Sequence, residues 1–122
     1  LKGNNIKKKN KIKIKAIKVK HGLIDSIAYI INNNIAYVSD ANGFYQNNYK
    51  YFKNLKYLVI DCLRYTKHPS HFNVNDILIL HKMLKPSKMI LTNLHSDLDY
   101  KVLLDMLPNN IQPAFDGLTL RI

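Results

Sequence analysis

From Lys11 to Lys20 the chain alternates lysine with apolar residues, KIKIKAIKVK. A period of two is the mark of a β-strand and excludes an amphipathic helix over these residues. Ile12, Ile14, Ala16 or Ile17, and Val19 read as its apolar positions, and the lysines leave the opposite face wet. Two more apolar runs, SIAYII and IAYVS, flank Asn32-Asn33-Asn34. Asparagine tolerates the left-handed turn conformation, so this is a hairpin. YLVID and KMILT are unbroken apolar runs of strand length, as buried strands are.

Between and after these runs the period changes. YQNNYKYFKNL can form a short helix on Tyr45, Tyr49 and Phe52. Asn73 caps a helix with Asp76 three residues on, and Val74, Ile77, Leu78, His81 and Leu84 recur at helical spacing until Pro86. Asp97 and Asp99 precede a second helical pattern, Tyr100, Leu103, Leu104 and Leu107, closed by Pro108. IQPAF and LTLRI around Asp116-Gly117 read as a terminal strand pair. Strands first as a meander and then alternating with helices predict an α/β fold, a mixed sheet with helices on one side.

The 122 residues suit one domain or a piece of one, and 47% hydrophobic content allows a core. No run approaches the ~18 apolar residues of a membrane span, so no membrane partner is expected. The lone Cys62 reads as a packed thiol in a reducing compartment. With no signal-peptide pattern after Leu1, the expectation is a cytoplasmic protein. The net charge of +11 is local: residues 1–20 hold nine lysines and no acid. Lys, Asn and Ile are all abundant, as AT-rich codon usage would produce, which competes with nucleic-acid binding as the cause of the charge.

Polar groups gather at strand ends: His21-Gly22, Asp40, Asp61, His68 and His71 in the following loop, Asn93 and His95, and Asp116. Histidine with aspartate suits divalent metals. Each has an ordinary rival role. His21 could be a turn residue, Asp40 an Asx-turn, Asp61 and Asp116 local caps, His68 a loop residue beside Pro69, and His81 a core histidine on an apolar helix face.

Taken in order, the series HGLIDSIAYII, NIAYVSDANG, YLVIDCLRYTKHPSH, LKPSKMILTNLHSDLDY and PAFDGLTL resembles the C-terminal half of a metallo-β-lactamase-fold hydrolase. It is most similar to the cyclic-phosphate phosphodiesterases linked to phosphonate breakdown and to their alphaproteobacterial relatives. The resemblance runs from about Lys18 to the end. It divides the chain into a lysine-rich, divergent or strand segment, residues 1–17, and half of an αβ/βα sandwich, residues 18–122.

The resemblance implies roles. His21 matches a metal ligand, and Asp40 the carboxylate bridging two divalent ions, zinc or manganese. His71 matches a loop histidine that protonates the leaving group. The family's last histidine ligand aligns with Asn93, and here a histidine stands two places on, at His95. Either His95 takes over that coordination or the corner is weakened; residues two apart on a strand share a face. The HxHxDH motif that supplies four further ligands is absent from these residues. The resemblance therefore implies a truncated or split hydrolase, inactive alone, whose N-terminal half is encoded separately and whose substrate, once reconstituted, is a phosphodiester. The alternative is a small basic, non-enzymatic protein binding RNA or another polyanion. No specific nucleic-acid site is expected, because residues 1–20 contain no aromatic stacking platform. Fluorescence anisotropy with single- and double-stranded oligonucleotides at ~150 mM salt should show only weak binding that collapses as salt rises.

Overall fold

The computed structural model describes residues 5–9, 11–95 and 98–121. Among the described residues eight strands form one mixed sheet. They are β1 (Asn5–Lys9), β2 (Ile12–His21), β3 (Ile24–Ile31), β4 (Ile35–Val38), β5 (Gly43–Phe44), β6 (Tyr57–Asp61), β7 (Lys88–Thr92) and β8 (Ile111–Pro113). Seven lie in the order β1-β2-β3-β4-β6-β7-β8, and β5 pairs with the end of β2. The first half is an antiparallel meander; β4, β6, β7 and β8 are parallel to one another.

Local chemistry explains the turns. Asn32 and Asn33 sit at φ 53 and 52 in the three-residue loop between Ile31 and Ile35, where Asn34 N–H donates to Ile31 O; asparagine tolerates this left-handed conformation. The helix α1 (Val74–Leu84) opens on a full capping box between Asn73 and Asp76 and closes at Lys85, φ 51. It buries Val74, Ile77, Leu80 and Leu84, so Leu80 takes the inner place and Leu78 packs at its side. His81 is half-buried, and its Nε2 is sealed from solvent without a hydrogen-bond partner. The helix α2 (Tyr100–Met106) is capped by Asp99, whose carboxylate accepts from Lys101 and Val102 N–H; Asp97 lies outside the described residues. The YQNNYKYF stretch forms a 3-10 helix, Gln46–Phe52. No helix among the described residues is long and apolar enough to cross a membrane.

The helices cover one face of the sheet. Ile17, Val19, Ala28, Ile30, Val38, Leu58, Ile60 and Leu91 meet Phe52, the buried side of α1 and Leu103 of α2 there. The alternation in β2 changes phase between Ala16 and Ile17 while its pairing with β3 continues without a bulge. Ile12 and Ile14 therefore point to the opposite face from Ile17 and Val19, and are 39% and 40% exposed. Lys15, on the helix side, lays its ammonium 3.7 Å from the Tyr51 ring centroid. The lysine face is thus not wet along its whole length, because the strand outruns the helices that cover it.

Residues 5–9 pair with β2 as an edge strand. One further expectation changes. The terminal strand pair reduces to β8 alone. After Pro113 the chain turns at Gly117 (φ 88), with Leu118 N–H donating to Phe115 O, and makes no further ladder among the described residues.

Cys62 is fully buried beneath the sheet rim. Burial, with Asp61 and Asp76 nearby, pushes its thiol up to about 12. The thiolate that reacts is therefore scarce in the folded chain at any ordinary pH. Ellman's reagent at pH 8 should leave Cys62 unmodified in native buffer and titrate it fully in denaturant; stoichiometric reaction of the native chain would contradict this packing.

Candidate metal centre

Because β4, β6 and β7 are parallel, their C-terminal ends open on one rim, where sites in such sheets gather. The β2–β3 turn and the loop 62–73 reach the same rim and are stitched to it. Gly22 adopts φ 63, and a Cβ there would stand 3.1 Å from Ser70 Cβ. Its N–H donates to Asn42 Oδ1 at 3.1 Å, and Asn42 Nδ2 donates to Pro69 O at 3.0 Å. Arg64 holds the far side of the loop through the carbonyls of Thr66 and Lys67.

This stitching gathers His21, Asp40 and His71, whose ligand atoms all lie within 4.8 Å of one another. His21 Nδ1 is 2.8 Å from Ser70 O, and only the tautomer protonated at Nδ1 can donate to a carbonyl. His71 Nδ1 is 2.5 Å from Asp61 Oδ2. In both rings the outer partner occupies Nδ1 and leaves Nε2 for a ligand, the usual arrangement around a metal-bound imidazole. The two rings meet edge to face, 4.9 Å between centroids. Both are half-buried, and Asp40 is exposed.

Asp61 anchors the group. It is fully buried, accepts from Ala41 N–H at 3.4 Å and from Asn93 Nδ2 at 3.2 Å, and faces His71. Burial pushes its carboxyl above the ordinary value, while His71, Asn93 and Ala41 pull it down. As sequence, Asp61 reads equally as a local turn cap. The signal for a larger role was its position: a charged residue ending the otherwise apolar run YLVID, where the pattern buries side chains.

The remaining candidates are placed differently. His95 is not in the group with His21 and Asp40. Its backbone N–H donates to Leu63 O at 2.8 Å and its side chain is exposed. Asn93, at φ 58, turns its amide to Asp61 and to the carbonyl of Ser39, beside Asp40. His68 stacks edge-on to His71 at 5.0 Å, and its Nδ1 accepts from Ser70 N–H at 3.1 Å. Partial burial, then the charges of Arg64 and His71, hold it below its ordinary value. Asp116 is exposed on a shallow cleft of 200 Å³ shared with Thr92, Asn93 and Phe115.

The donor set of two imidazoles and a carboxylate, each ring oriented from behind, fits a divalent cation. Among solved structures the chain is similar to a diphosphatase of the PhnP family, with 25% identity and a TM-score of 0.93 over 99% of this chain and 47% of that one. The chain has half of a metallo-β-lactamase fold. The metallo-β-lactamase fold protein YhfI from Bacillus subtilis gives a TM-score of 0.79 at 15% identity, over 97% of this chain and 53% of that one. The short form of human tRNase Z gives 0.69 at 13% identity, over 94% and 44%. The chain therefore spans about half the length of the solved structures it matches. No protein-family profile and no curated protein matches the sequence.

The role of Asp61 is measurable. In long-range ¹H–¹⁵N spectra at pH 8, His71 should show a single Nδ1-protonated pattern. In Asp61→Ala the preference should be lost while His21, held by Ser70 O, keeps its own. An unchanged His71 pattern in that variant would remove Asp61 as its anchor.

Proposed function

We propose that these residues are one half of a metal-dependent hydrolase of phosphoric-ester bonds, whose turnover also needs a half carrying HxHxDH. The observation that carries the reading is the His21–Asp40–His71 group at the rim of a fold half as long as the hydrolases it matches. The diphosphatase likeness, at 25% identity, supports a phosphoric anhydride or ester as the substrate class. The uncovered face of the sheet supports the partner. Ile12, Ile14, Tyr29 and Tyr37 are each 38–45% exposed there, and a sheet that is apolar on both faces needs a layer on each.

In this reading His21 and Asp40 would hold divalent metal, zinc or manganese, with Asp40 shared between two ions, and His95 is the sequence-based candidate for a third ligand on this half. When bound, the ions would supply an activated water and neutralise charge at phosphorus. The chain's own residues do the rest. His71, whose Nδ1 faces Asp61, has Nε2 left to deliver a proton to the departing oxygen. Asp61, behind it, accepts from Nδ1 and fixes the ring. Asp61 is out of water, so its carboxylate acts at close range and low dielectric. The lone buried thiol of Cys62 agrees with a cytoplasmic setting.

The test uses bis-(p-nitrophenyl) phosphate with manganese or zinc. The chain by itself should show no turnover above background. Mixed with a polypeptide bearing the HxHxDH half, it should become active. Asp40→Ala should abolish that activity and His71→Ala should lower it by roughly 10²–10⁴, the contribution of a general acid. Chelator-sensitive turnover by the lone chain would overturn the need for a partner. A folded, associated pair without turnover would overturn the hydrolase reading.

A further inference from the structure

We propose that in this chain on its own His71 is a metal ligand, closing with His21 and Asp40 a three-ligand site for a single divalent ion. The proposal rests on the metal-binding part of the reading above and is independent of hydrolysis. It also gives His71 a role that the resemblance does not.

Geometry makes the case. The three ligand atoms come from three separate segments, the end of β2, the second residue after β4 and the loop 62–73, and still lie within 4.8 Å of one another. A tetrahedral ion with bonds of about 2.0–2.1 Å would draw such atoms to about 3.4 Å. Closing that gap takes small side-chain rotations, since Asp40 is exposed and the two imidazoles are half-exposed. Neither imidazole needs to change tautomer. Ser70 O holds Nδ1 of His21 and Asp61 holds Nδ1 of His71, so both rings carry the outer partner that raises ligand basicity and fixes orientation.

The competing donors are worse placed. Asn93, where the resemblance puts a histidine, has its amide nitrogen on Asp61 and Ser39 O. His95 stands outside the group, and His68 has Nδ1 on Ser70 N–H. Cys62 is buried, so no thiolate competes. Two neutral nitrogens and one carboxylate, with a fourth position left to solvent, suit zinc or cobalt. Among the described residues His71 is the third donor that stands with His21 and Asp40. In a completed assembly the same Nε2 would be released for proton transfer.

The experiment is zinc titration by calorimetry and cobalt titration by visible absorption on the chain as it stands. The expected result is one ion per chain, with cobalt bands of tetrahedral intensity, and a large zinc-induced shift of the His71 Nε2 resonance. His71→Ala, His21→Ala and Asp40→Ala should each weaken zinc at least tenfold, while His95→Ala and His68→Ala bind like wild type. His71→Gln, checked for an unreactive Cys62, serves if the alanine variant misfolds and should weaken zinc equally. The proposal is overturned by wild-type affinity in the His71 variants, by an equal loss in His95→Ala, or by no saturable zinc binding. Zinc binding of this pattern alongside an inactive reconstituted pair would sink the hydrolase reading and leave this site standing.

Discussion

A buried carboxylate organises the rim of this molecule. Asp61 leaves the end of a central strand with no solvent to share its charge, so every hydrogen bond it makes matters. It takes one from the backbone after β4, one from the side chain after β7, and pairs with the imidazole of its own following loop. Three connections are thereby tied to one point. Removing one member of such a buried pair typically costs about 3–5 kcal/mol, and here it would loosen the loop that carries His68, Ser70 and His71. Ser70 in turn orients His21. The metal-competent group depends on an acid that is not part of it.

The sheet and helices were readable because their signals are local. Period-two lysine alternation, the Asn32-Asn33 turn, and the Asn73–Asp76 capping box each act within a few residues and each formed as expected. Long-range facts were less legible. The phase change in β2 leaves Ile12 and Ile14 on the face away from the helices. The alternation shows that a strand exists but not where its covering layer ends. LTLRI has a strand-like composition, yet no neighbouring edge receives it among the described residues.

The site was legible in its members and less so in its geometry. Reading strand ends picked out His21, Asp40 and His71 as chemically competent, and the motif order assigned them to one centre. What the sequence could not supply was distance. His71 lies ten residues past its strand, and long-range hydrogen bonds, the one to Asp61 among them, place its ring beside His21. The spacing of Asn93 and His95 suggests a shared face, but the chain leaves β7 at Thr92 and Asn93 adopts a left-handed φ. Period-two reasoning stops where the strand stops.

The order of elements along the chain also sets a schedule. Strands β2, β3 and β4 are joined by turns of a few residues and close their ladders through local contacts, which form early. The parallel ladder β4-β6-β7-β8 needs long crossovers and must wait for chain that is synthesised later. His21 and Asp40 belong to the early part, His71 and its anchor to the late part. The first two donors thus lie on chain made before the loop that supplies both the third donor and the Ser70 carbonyl that orients His21. Capture of an ion at this rim would then act as a timestamp, marking the moment at which the two halves of the sheet have joined.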